Sequence, residues 1–430
     1  MTQFRSLHSV NGASTGDICS AAVVGAGAMG AGITTAFAIA GVPVTLLDVS
    51  QTAVDRGLSI VKANLEGAAS RGKITPEDAE RAIGSIAGAV DYEALANTDL
   101  VVEAVFEDLS LKKDVFAALD RATKPEAILA TNTSYLDIDA IAAVTGRPDR
   151  VVGLHFFNPA HIMKLLEIVR AAKTSDEVLA SGVALAARLG KTAVIARNAF
   201  GFIGNRMLNA YRTEALDLAL EGAPIATIDR ALAEFGMPMG PFALMDLTGL
   251  EVNVKMRQQA DPRYIDRQAF EIVDRLYADG RTGQKSGAGF YRYEPGARSP
   301  KPDEAVDAII ADIAGSHRLQ RRASIPGGEI LDRCLLMLVN EGARILEERV
   351  ASTARDIDTT YVAGYGFPKE KGGPMVWAEA RGLAEVLDAI RRNFKATGKA
   401  RWLPARLLED AASEGRLFDA ALTVRHGSAG

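Results

Sequence analysis

The sequence predicts a doubly wound α/β sheet followed by two homologous all-α domains. Three observations lead to this fold class. Short β-rich runs alternate with helical stretches up to residue 197, as in a sheet whose crossovers are helices. After Phe200 the β signal fades and long helices dominate. Within this helical half, charged residues and turn residues recur in the same order about 130 residues apart.

The first element is an apolar strand over residues 21–24 that runs into the turn Gly25-x-Gly27-x-x-Gly30. An alanine-rich helix follows, and a second β-rich run ends in Asp48, eighteen residues beyond Gly30. In such a turn the first glycine permits the tight bend, the second lets the backbone approach a pyrophosphate, and the third brings helix and strand together. The free N–H groups of the helix then face the phosphates.

Asp48 is placed to accept hydrogen bonds from the adenosine ribose, and its charge would repel a 2′-phosphate. The pattern therefore favours NAD over NADP. A glycine-rich turn without a ligand is the alternative interpretation. Because strand, helix, second strand and acid all follow in order, we interpret the segment as a Rossmann-like nucleotide site.

The rest of the first domain follows the same alternation. A proline early in a helix with acids in its first turn marks a helix start at Thr75-Pro76. The residues after 99 read as a buried parallel strand. In chain order we expect helices over 52–70, from 76, around 112 and over 176–189, and strands over 99–106, 127–130, 150–155 and 192–196.

The helical half carries an internal repeat. Arg206 and Glu214 align with Arg333 and Glu341, and Gly240-Pro241 aligns with Gly373-Pro374. The order of acids and turn residues indicates a duplication. We therefore expect a flexible leader over 1–18, a nucleotide-binding domain over 19–197, helical domains over 198–294 and 326–425, and a linker over 295–325.

Composition excludes several classes of protein. The 430 residues carry a formal net charge of -5, which gives no sign of a nucleic-acid surface. Cys19 and Cys334 have neither metal-ligand spacing nor a disulfide framework, so no metal is expected. No apolar run approaches the length of a membrane span, and the leader lacks the core of a secretory signal. A cytoplasmic protein is the expectation.

A candidate acid–base pair follows the predicted strand over 150–155. His155 ends that strand, at the carboxyl edge where open α/β sheets bind ligands, and Glu167 follows twelve residues later among apolar neighbours. A buried carboxylate needs a partner, and an imidazole is the obvious one. Such a pair suits proton removal from an alcohol. The alternative is a structural histidine and a surface glutamate on an ordinary helix.

A polar cluster, Asn132-Thr133-Ser134, follows the strand over 127–130 at the same predicted edge. Residues of this kind either cap the next helix or hydrogen-bond a ligand, and the sequence leaves both readings open.

Together, several motifs resemble the L-3-hydroxyacyl-CoA dehydrogenase family. They are Gly25-Ala-Gly-Ala-Met-Gly30, Asn132-Thr-Ser134, His155-Phe-Phe-Asn-Pro159, Glu167 and Gly201-Phe-Ile-Gly-Asn-Arg206. In the second half, Gly283–Tyr291 and Gly364–Met375 resemble the dehydrogenase portion of multifunctional β-oxidation enzymes. The resemblance runs from about residue 20 to residue 420.

The resemblance implies a role for each matching residue. His155 is expected to take the 3-hydroxyl proton while hydride passes from C3 to NAD, and Glu167 to orient His155. Ser134 and Asn205 are expected to hydrogen-bond the substrate oxygens. Arg71 and Lys73 are candidates for the CoA phosphates, although a solvated basic turn explains them equally well. The expected cofactor contacts are Gly25, Gly27, Ala28, Met29, Gly30, Asp48, Glu107, Lys112, Asn132, Asn158 and Lys285.

In the second copy Asp332 stands where the first has Asn205, so we interpret that copy as structural. Single-copy members of the family pair through this helical domain, so a fused second copy implies a monomer. The expected substrate is an acyl-CoA thioester, and a hydratase or a thiolase is the partner enzyme that the resemblance suggests.

Three other functions compete with the dehydrogenase. They are an NAD-binding regulator without turnover, a dehydrogenase of a related small 3-hydroxy acid, and an acyl-CoA hydrolase using Ser134, His155 and Glu167. The hydrolase is disfavoured because Ser134 lies in Asn-Thr-Ser-Tyr-Leu rather than in a G-x-S-x-G elbow.

Overall fold

The structure is a computed structural model that describes residues 18–259, 265–294, 296 and 299–427. It divides into two compact units, the first ending at Phe202 and the second beginning at Ile203. The predicted leader lies outside the described residues except for Ile18.

In the described part of the first unit, eight strands form one sheet in the order β3-β2-β1-β4-β5-β6-β7-β8. Strands β1, β4 and β5 are buried along their whole length, which explains why their sequences are apolar up to the terminal Glu103 of β4 and Thr131 of β5. The strands are β1 (Ala21–Val24), β2 (Val44–Leu47), β3 (Ile86–Ala89), β4 (Leu100–Glu103), β5 (Ile128–Thr131), β6 (Val151–Phe156), β7 (Leu165–Arg170) and β8 (Thr192–Arg197).

Helices connect these strands. The predicted start at Thr75-Pro76 is confirmed, because Thr75 and Asp78 form a reciprocal capping box. Ser50 caps the preceding helix by accepting a hydrogen bond from the N–H of Ala53. The helices are α1 (Ala28–Ile39), α2 (Gln51–Ser70), α3 (Pro76–Gly84), α4 (Leu109–Ala122), α5 (Ile138–Ala142) and α6 (Asp176–Arg188).

The sheet departs from the fully parallel arrangement that the alternation predicts. Strand β7 runs antiparallel to β6, while β8 is parallel to β7. Only residues 157–164 connect β6 and β7, and a parallel crossover needs a dozen residues or more. The chain therefore turns straight back, and Glu167 lies on a strand rather than on a helix.

The described part of the second unit is helical. Its helices are α7 (Gly204–Leu220), α8 (Ile225–Phe235), α9 (Pro241–Thr248), α10 (Leu250–Gln259), α11 (Arg267–Ala278), α12 (Glu304–Ser316), α13 (Gly327–Glu347), α14 (Ala354–Gly364), α15 (Pro374–Arg381), α16 (Leu383–Thr397), α17 (Arg406–Glu414) and α18 (Phe418–Gly427). Helix α12 lies within the segment predicted as a linker.

The two copies reproduce the same local structure, which confirms two homologous all-α domains. In the first copy the Asp229 carboxylate accepts hydrogen bonds from two N–H groups at the start of α9. In the second copy Asp358 does the same at the start of α15. Both helices are eight residues long and begin with proline.

Helices α7 and α13, one from each copy, exchange equivalent ion pairs. Arg206 on α7 pairs with Glu341 and Glu348, and Arg333 on α13 pairs with Glu214 and Glu221. Glu341 and Glu348 are the counterparts of Glu214 and Glu221, so each arginine pairs with the equivalent two glutamates of the other copy. This reciprocity is the signature of a two-fold interface, here formed within one chain.

Candidate active site

The turn between β1 and α1 has the backbone that a pyrophosphate cradle needs. Gly25 has φ +104°, a conformation that residues with a side chain rarely adopt. A Cβ at Gly30 would lie 1.7 Å from the carbonyl oxygen of Gly25, so only glycine permits this approach of helix to strand. A Cβ at Gly27, by contrast, would face open space. The backbone conformation of this turn and the open space at Gly27 therefore fit the pyrophosphate of a dinucleotide.

Asp48 lies directly after β2, beside this turn. Its Oδ2 accepts a hydrogen bond of 2.7 Å from the N–H of Ala26, and its Oδ1 accepts one from Val49. The carboxylate is therefore anchored to the glycine-rich turn and is only half-buried. An anchored carboxylate can still accept further hydrogen bonds through its remaining lone pairs.

His155 and Glu167 are directly paired residues on β6 and β7. Because paired residues of antiparallel strands point to the same face of the sheet, their side chains meet. The distance from His155 Nδ1 to Glu167 Oε2 is 2.7 Å. An ionised carboxylate only accepts hydrogen bonds, so Nδ1 carries a proton and Nε2 presents a lone pair.

The free side of the imidazole faces Ser134. Its Oγ lies 3.2 Å from His155 Nε2, so the Ser134 hydroxyl can donate to that lone pair. The ring of Phe157 packs 4.4 Å from the imidazole, centroid to centroid, and the ring of Phe202 packs 5.6 Å from it. His155 is 3% exposed and Glu167 is fully buried, so the pair lies in a water-poor environment.

The cluster after β5 organises this edge of the sheet. The side chain of Asn132 accepts a hydrogen bond of 2.8 Å from the N–H of Phe156, which ties the end of β5 to β6. Glu107 accepts hydrogen bonds from the backbone N–H of Ser134 and from the Thr133 hydroxyl. These contacts position the loop that carries Ser134.

Lys112, a predicted cofactor contact, lies in a buried ion pair. Its ammonium group lies 2.6 Å from Glu103 Oε1 and 3.4 Å from Glu107 Oε2, and the residue is 1% exposed. Glu103 also accepts a hydrogen bond from Thr131 on the neighbouring strand. Sequence reasoning did not single out Glu103. The signal in the sequence was that Glu103 ends an apolar strand and that a lysine, Lys112, lies in the next helix.

The remaining candidates lie at the surface or in the second unit. Asn158, Arg71 and Lys73 are exposed in the first unit, and Lys285 is exposed in the second. Asn205 is half-buried on α7, and its Oδ1 accepts a hydrogen bond of 2.9 Å from the hydroxyl of Tyr365. The cofactor and substrate roles of these residues stay predictions.

The second copy has an ion pair where the first has Asn205. Asp332, the counterpart of Asn205, makes two hydrogen bonds of 2.7 and 2.9 Å with the guanidinium group of Arg381. Arg381 ends α15, and Thr248 ends the equivalent helix α9. In the second copy, the Asp332 carboxylate is therefore engaged in an ion pair with Arg381.

No described helix is both long and apolar enough to cross a membrane. No group of three or more His, Cys, Asp or Glu side chains that could hold a metal ion lies within 18–259, 265–294, 296 and 299–427.

Two family models match nearly the whole chain. A family model for the 3-hydroxyacyl-CoA dehydrogenase NAD binding domain matches residues 20–199. The model for the C-terminal domain of the same family matches residues 201–293 and 328–422. The two matched segments correspond to the two helical copies.

Individual relatives point the same way. The chain is 40% identical over 387 residues to a peroxisomal bifunctional enzyme of Danio rerio and 39% identical over 417 residues to that of Homo sapiens. These matches cover 87% and 94% of the chain, but only 53% and 57% of the relatives, so the chain spans little more than half their length. A crystal structure of 3-hydroxybutyryl-CoA dehydrogenase from Escherichia coli K12 is 30% identical, with a TM-score of 0.80, and the match covers 93% of this chain and 99% of that one.

The prediction of a cytoplasmic protein is wrong in the light of these relatives, which are named as peroxisomal. That prediction rested on composition and on the lack of recognised signals. Neither distinguishes the cytoplasm from the peroxisome.

The resemblance inferred from the motifs is confirmed over nearly the whole chain. The matched segments include the glycine-rich turn, the His155–Glu167 pair and both helical copies. The chain belongs to the 3-hydroxyacyl-CoA dehydrogenase family, with one NAD-binding domain and two copies of the C-terminal domain.

Proposed function

We propose that this chain oxidises an L-3-hydroxyacyl-CoA thioester to the 3-ketoacyl-CoA, reversibly and with NAD as the oxidant. The single observation that carries the proposal is the contact of 2.7 Å between His155 and Glu167. The pair stands at the carboxyl edge of the sheet that also carries the glycine-rich turn. Ligands of open α/β sheets bind at that edge.

The cofactor-binding residues are assigned from the shape of the turn and from the family. Bound NAD supplies the hydride acceptor of the reaction. The turn accommodates the pyrophosphate at Gly27, where no side chain intrudes, and Asp48 accepts hydrogen bonds from the ribose. The proposed contacts are Gly25, Gly27, Ala28, Met29, Gly30, Asp48, Glu107, Lys112, Asn132, Asn158 and Lys285.

His155 acts as the general base. Its Nε2 lone pair takes the proton of the 3-hydroxyl group, and the imidazolium that forms is stabilised by the Glu167 carboxylate on the opposite side of the ring. The carboxylate also fixes the tautomer and the orientation of the ring, because it holds the Nδ1 proton. Burial of the pair strengthens this interaction, because water does not screen it.

Polar and basic side chains hold the substrate. In the substrate complex the Ser134 hydroxyl turns from His155 Nε2 to the substrate, so that Ser134 and Asn205 donate hydrogen bonds to the reacting oxygen or to the thioester carbonyl. Arg71 and Lys73 attract the CoA phosphates. Holding the alcohol against the base and the cofactor supplies the largest part of the rate, on the order of 7–11 kcal/mol of the barrier.

The test is the appearance of the NADH absorbance band when the chain is mixed with NAD and 3-hydroxybutyryl-CoA. The series should extend to longer acyl chains and to free 3-hydroxybutyrate. We expect NADH formation with thioesters, and His155→Gln should abolish turnover while NAD binding persists. His161→Gln is the matched control, since His161 has no acid at comparable spacing.

The other outcomes identify the competing functions. NADH formed from the free acid alone would show a dehydrogenase of small 3-hydroxy acids. NAD binding with no turnover of any substrate would show a regulator. Free CoA released without NADH would show a hydrolase.

A further inference from the structure

Tyr365 from the second copy contacts a candidate substrate-binding residue of the first copy. Its hydroxyl group donates a hydrogen bond of 2.9 Å to Asn205 Oδ1, across 160 positions of sequence. The tyrosine ring is stacked on Tyr361 at a centroid distance of 4.9 Å and an interplanar angle of 20°, which holds the ring in place. The second copy therefore supplies a polar group directly to Asn205.

Helix α7 leaves room for this contact at Gly204. A Cβ at that position would lie 2.5 Å from Tyr365 Cε2 and 2.7 Å from its hydroxyl oxygen. Both distances are well inside van der Waals contact. Any side chain at position 204 would push the phenol away from Asn205, so the glycine and the tyrosine form one arrangement.

The equivalent position of the other copy lacks this arrangement. Phe235-Gly-Met-Pro aligns with Tyr365-Gly-Phe-Pro, so Phe235 stands where Tyr365 does and carries no hydroxyl group. Its candidate partner by symmetry, Asp332, is paired with Arg381 instead. Of the two equivalent positions, 365 and 235, only the one whose partner is an asparagine carries a tyrosine hydroxyl. This asymmetry argues against a role of Tyr365 in packing alone.

We propose that Tyr365 is a positioning residue that sets the orientation of the Asn205 amide. An asparagine side chain presents an acceptor on one side and donors on the other, and it can rotate to exchange them. The Tyr365 hydroxyl donates its hydrogen bond to Asn205 Oδ1, so the Nδ2 hydrogens of Asn205 point away from Tyr365. Asn205 then offers a donor, which is what a substrate carbonyl or a developing alkoxide requires.

The inference rests on the proposed function, because it assigns the direction of a hydrogen bond that Asn205 makes to the substrate. It alters the interpretation of the second copy as purely structural. On this assignment, the second copy completes the substrate site through one hydroxyl group.

The test is a double-variant cycle with Tyr365→Phe and Asn205→Ala. Turnover of 3-hydroxybutyryl-CoA and the affinity for acetoacetyl-CoA, measured by calorimetry, are the two readouts. Loss of one neutral hydrogen bond predicts a decrease of about 2- to 12-fold in kcat/KM for Tyr365→Phe. The KM for NAD should be unchanged. In the Asn205→Ala background, Tyr365→Phe should have no further effect, because Tyr365 acts through Asn205.

Two more variants separate positioning from folding. Tyr361→Phe removes a hydroxyl from the neighbouring stacked ring and should keep wild-type kinetics. Gly204→Ala should reproduce the loss seen with Tyr365→Phe, because the added methyl group displaces the phenol. Thermal unfolding identifies any variant that loses activity through instability.

The outcomes distinguish this inference from the proposed function. A Tyr365→Phe effect that persists in the Asn205→Ala background, or wild-type behaviour of either single variant, overturns the inference. A wild-type chain that forms no NADH overturns the proposed function, and the acetoacetyl-CoA binding cycle then still decides whether Tyr365 acts through Asn205.

Discussion

His155 and Glu167 are register partners on antiparallel strands, with Nδ1 of the imidazole 2.7 Å from Oε2 of the carboxylate. The backbone pairing of β6 with β7 thus fixes the relative position of two side chains twelve residues apart. Because both lie on rigid strands rather than on loops, little conformational entropy is lost in aligning them for proton transfer.

Glu167→Gln tests the contribution of the carboxylate. We expect kcat to fall by about 10²- to 10⁴-fold, because a neutral amide does not stabilise the imidazolium and does not enforce the same tautomer. NAD affinity, measured by calorimetry, should stay near the wild-type value. Glu126→Gln, an exposed acid just before β5, is the matched control. A Glu167→Gln enzyme with near-normal kcat would contradict the assignment of His155 as a base backed by this acid.

Lys112→Met tests whether the buried ion pair with Glu103 is structural. Removing the lysine leaves a buried carboxylate without its cation, so the free energy of unfolding should fall by about 3–5 kcal/mol. The double variant Lys112→Met/Glu103→Leu should recover part of that loss, because it removes the unpaired charge but also removes the acceptor for Thr131 and for the Val105 N–H. Urea denaturation followed by circular dichroism measures both effects, and Lys113→Met, half-buried on the same helix, is the control.

The same double variant examines the predicted cofactor role of Lys112. If the double variant is stable and its NAD affinity equals that of the wild type, the lysine makes no energetically important contact with the cofactor. If affinity falls while stability is restored, the contact inferred from the family is real.

Local signals account for the parts of the fold that the sequence predicts well. The β1–turn–α1–β2 segment with Asp48 and the helix start at Thr75 depend on residues close together in the chain, and both were predicted. Strand β3, Ile86-Ala-Gly-Ala, was missed because it has one β-branched residue and is only partly buried. Strand β7, Leu-Leu-Glu-Ile-Val-Arg, was missed because a short and mostly apolar segment cannot be assigned to strand or helix by periodicity.

The residues of the candidate site also divide into those with a signal in the local sequence and those whose contacts depend on the folded structure. His155 was predicted from its place at the end of a strand, Glu167 from its apolar neighbours, and the role of Ser134 from the family resemblance; the structure brings their side chains together. The Tyr365–Asn205 contact was not predicted, because it joins residues 160 positions apart and depends on the packing of the two copies. The Lys112–Glu103 pair requires knowledge of which side of α4 faces the sheet.

Asp358 should make stability depend on pH. Burial, together with nearby Glu379 and Asp419, raises its pKa to about 7, although two backbone N–H groups favour the charged form. Between roughly pH 4 and 7 the folded state therefore holds more protons than the unfolded state, so the free energy of unfolding decreases as the pH rises through this window. The slope for one group reaches about 1.4 kcal/mol per pH unit.

The difference between wild type and Asp358→Asn isolates this contribution. Burial also raises the pKa of Asp229 and of Asp246 to about 6, and subtraction removes their effects. We expect the stability of wild type relative to the variant to be greatest near pH 4 and to decline towards pH 7. Asp388→Asn, an exposed aspartate on α16, should give a difference that does not vary with pH. A flat difference for Asp358→Asn would show that its carboxyl group is ionised throughout.

The chain should be a monomer in solution, because the reciprocal interface between α7 and α13 is formed internally. All residues of α7 except Asn205 and Ala210 are buried, so this helix leaves almost no surface for a second chain. Arg206 and Arg333 already satisfy the carboxylates that a two-fold partner would otherwise meet. Light scattering coupled to size-exclusion chromatography should give the mass of one chain over a wide range of protein concentration. A stable dimer mass would show that a different surface mediates self-association.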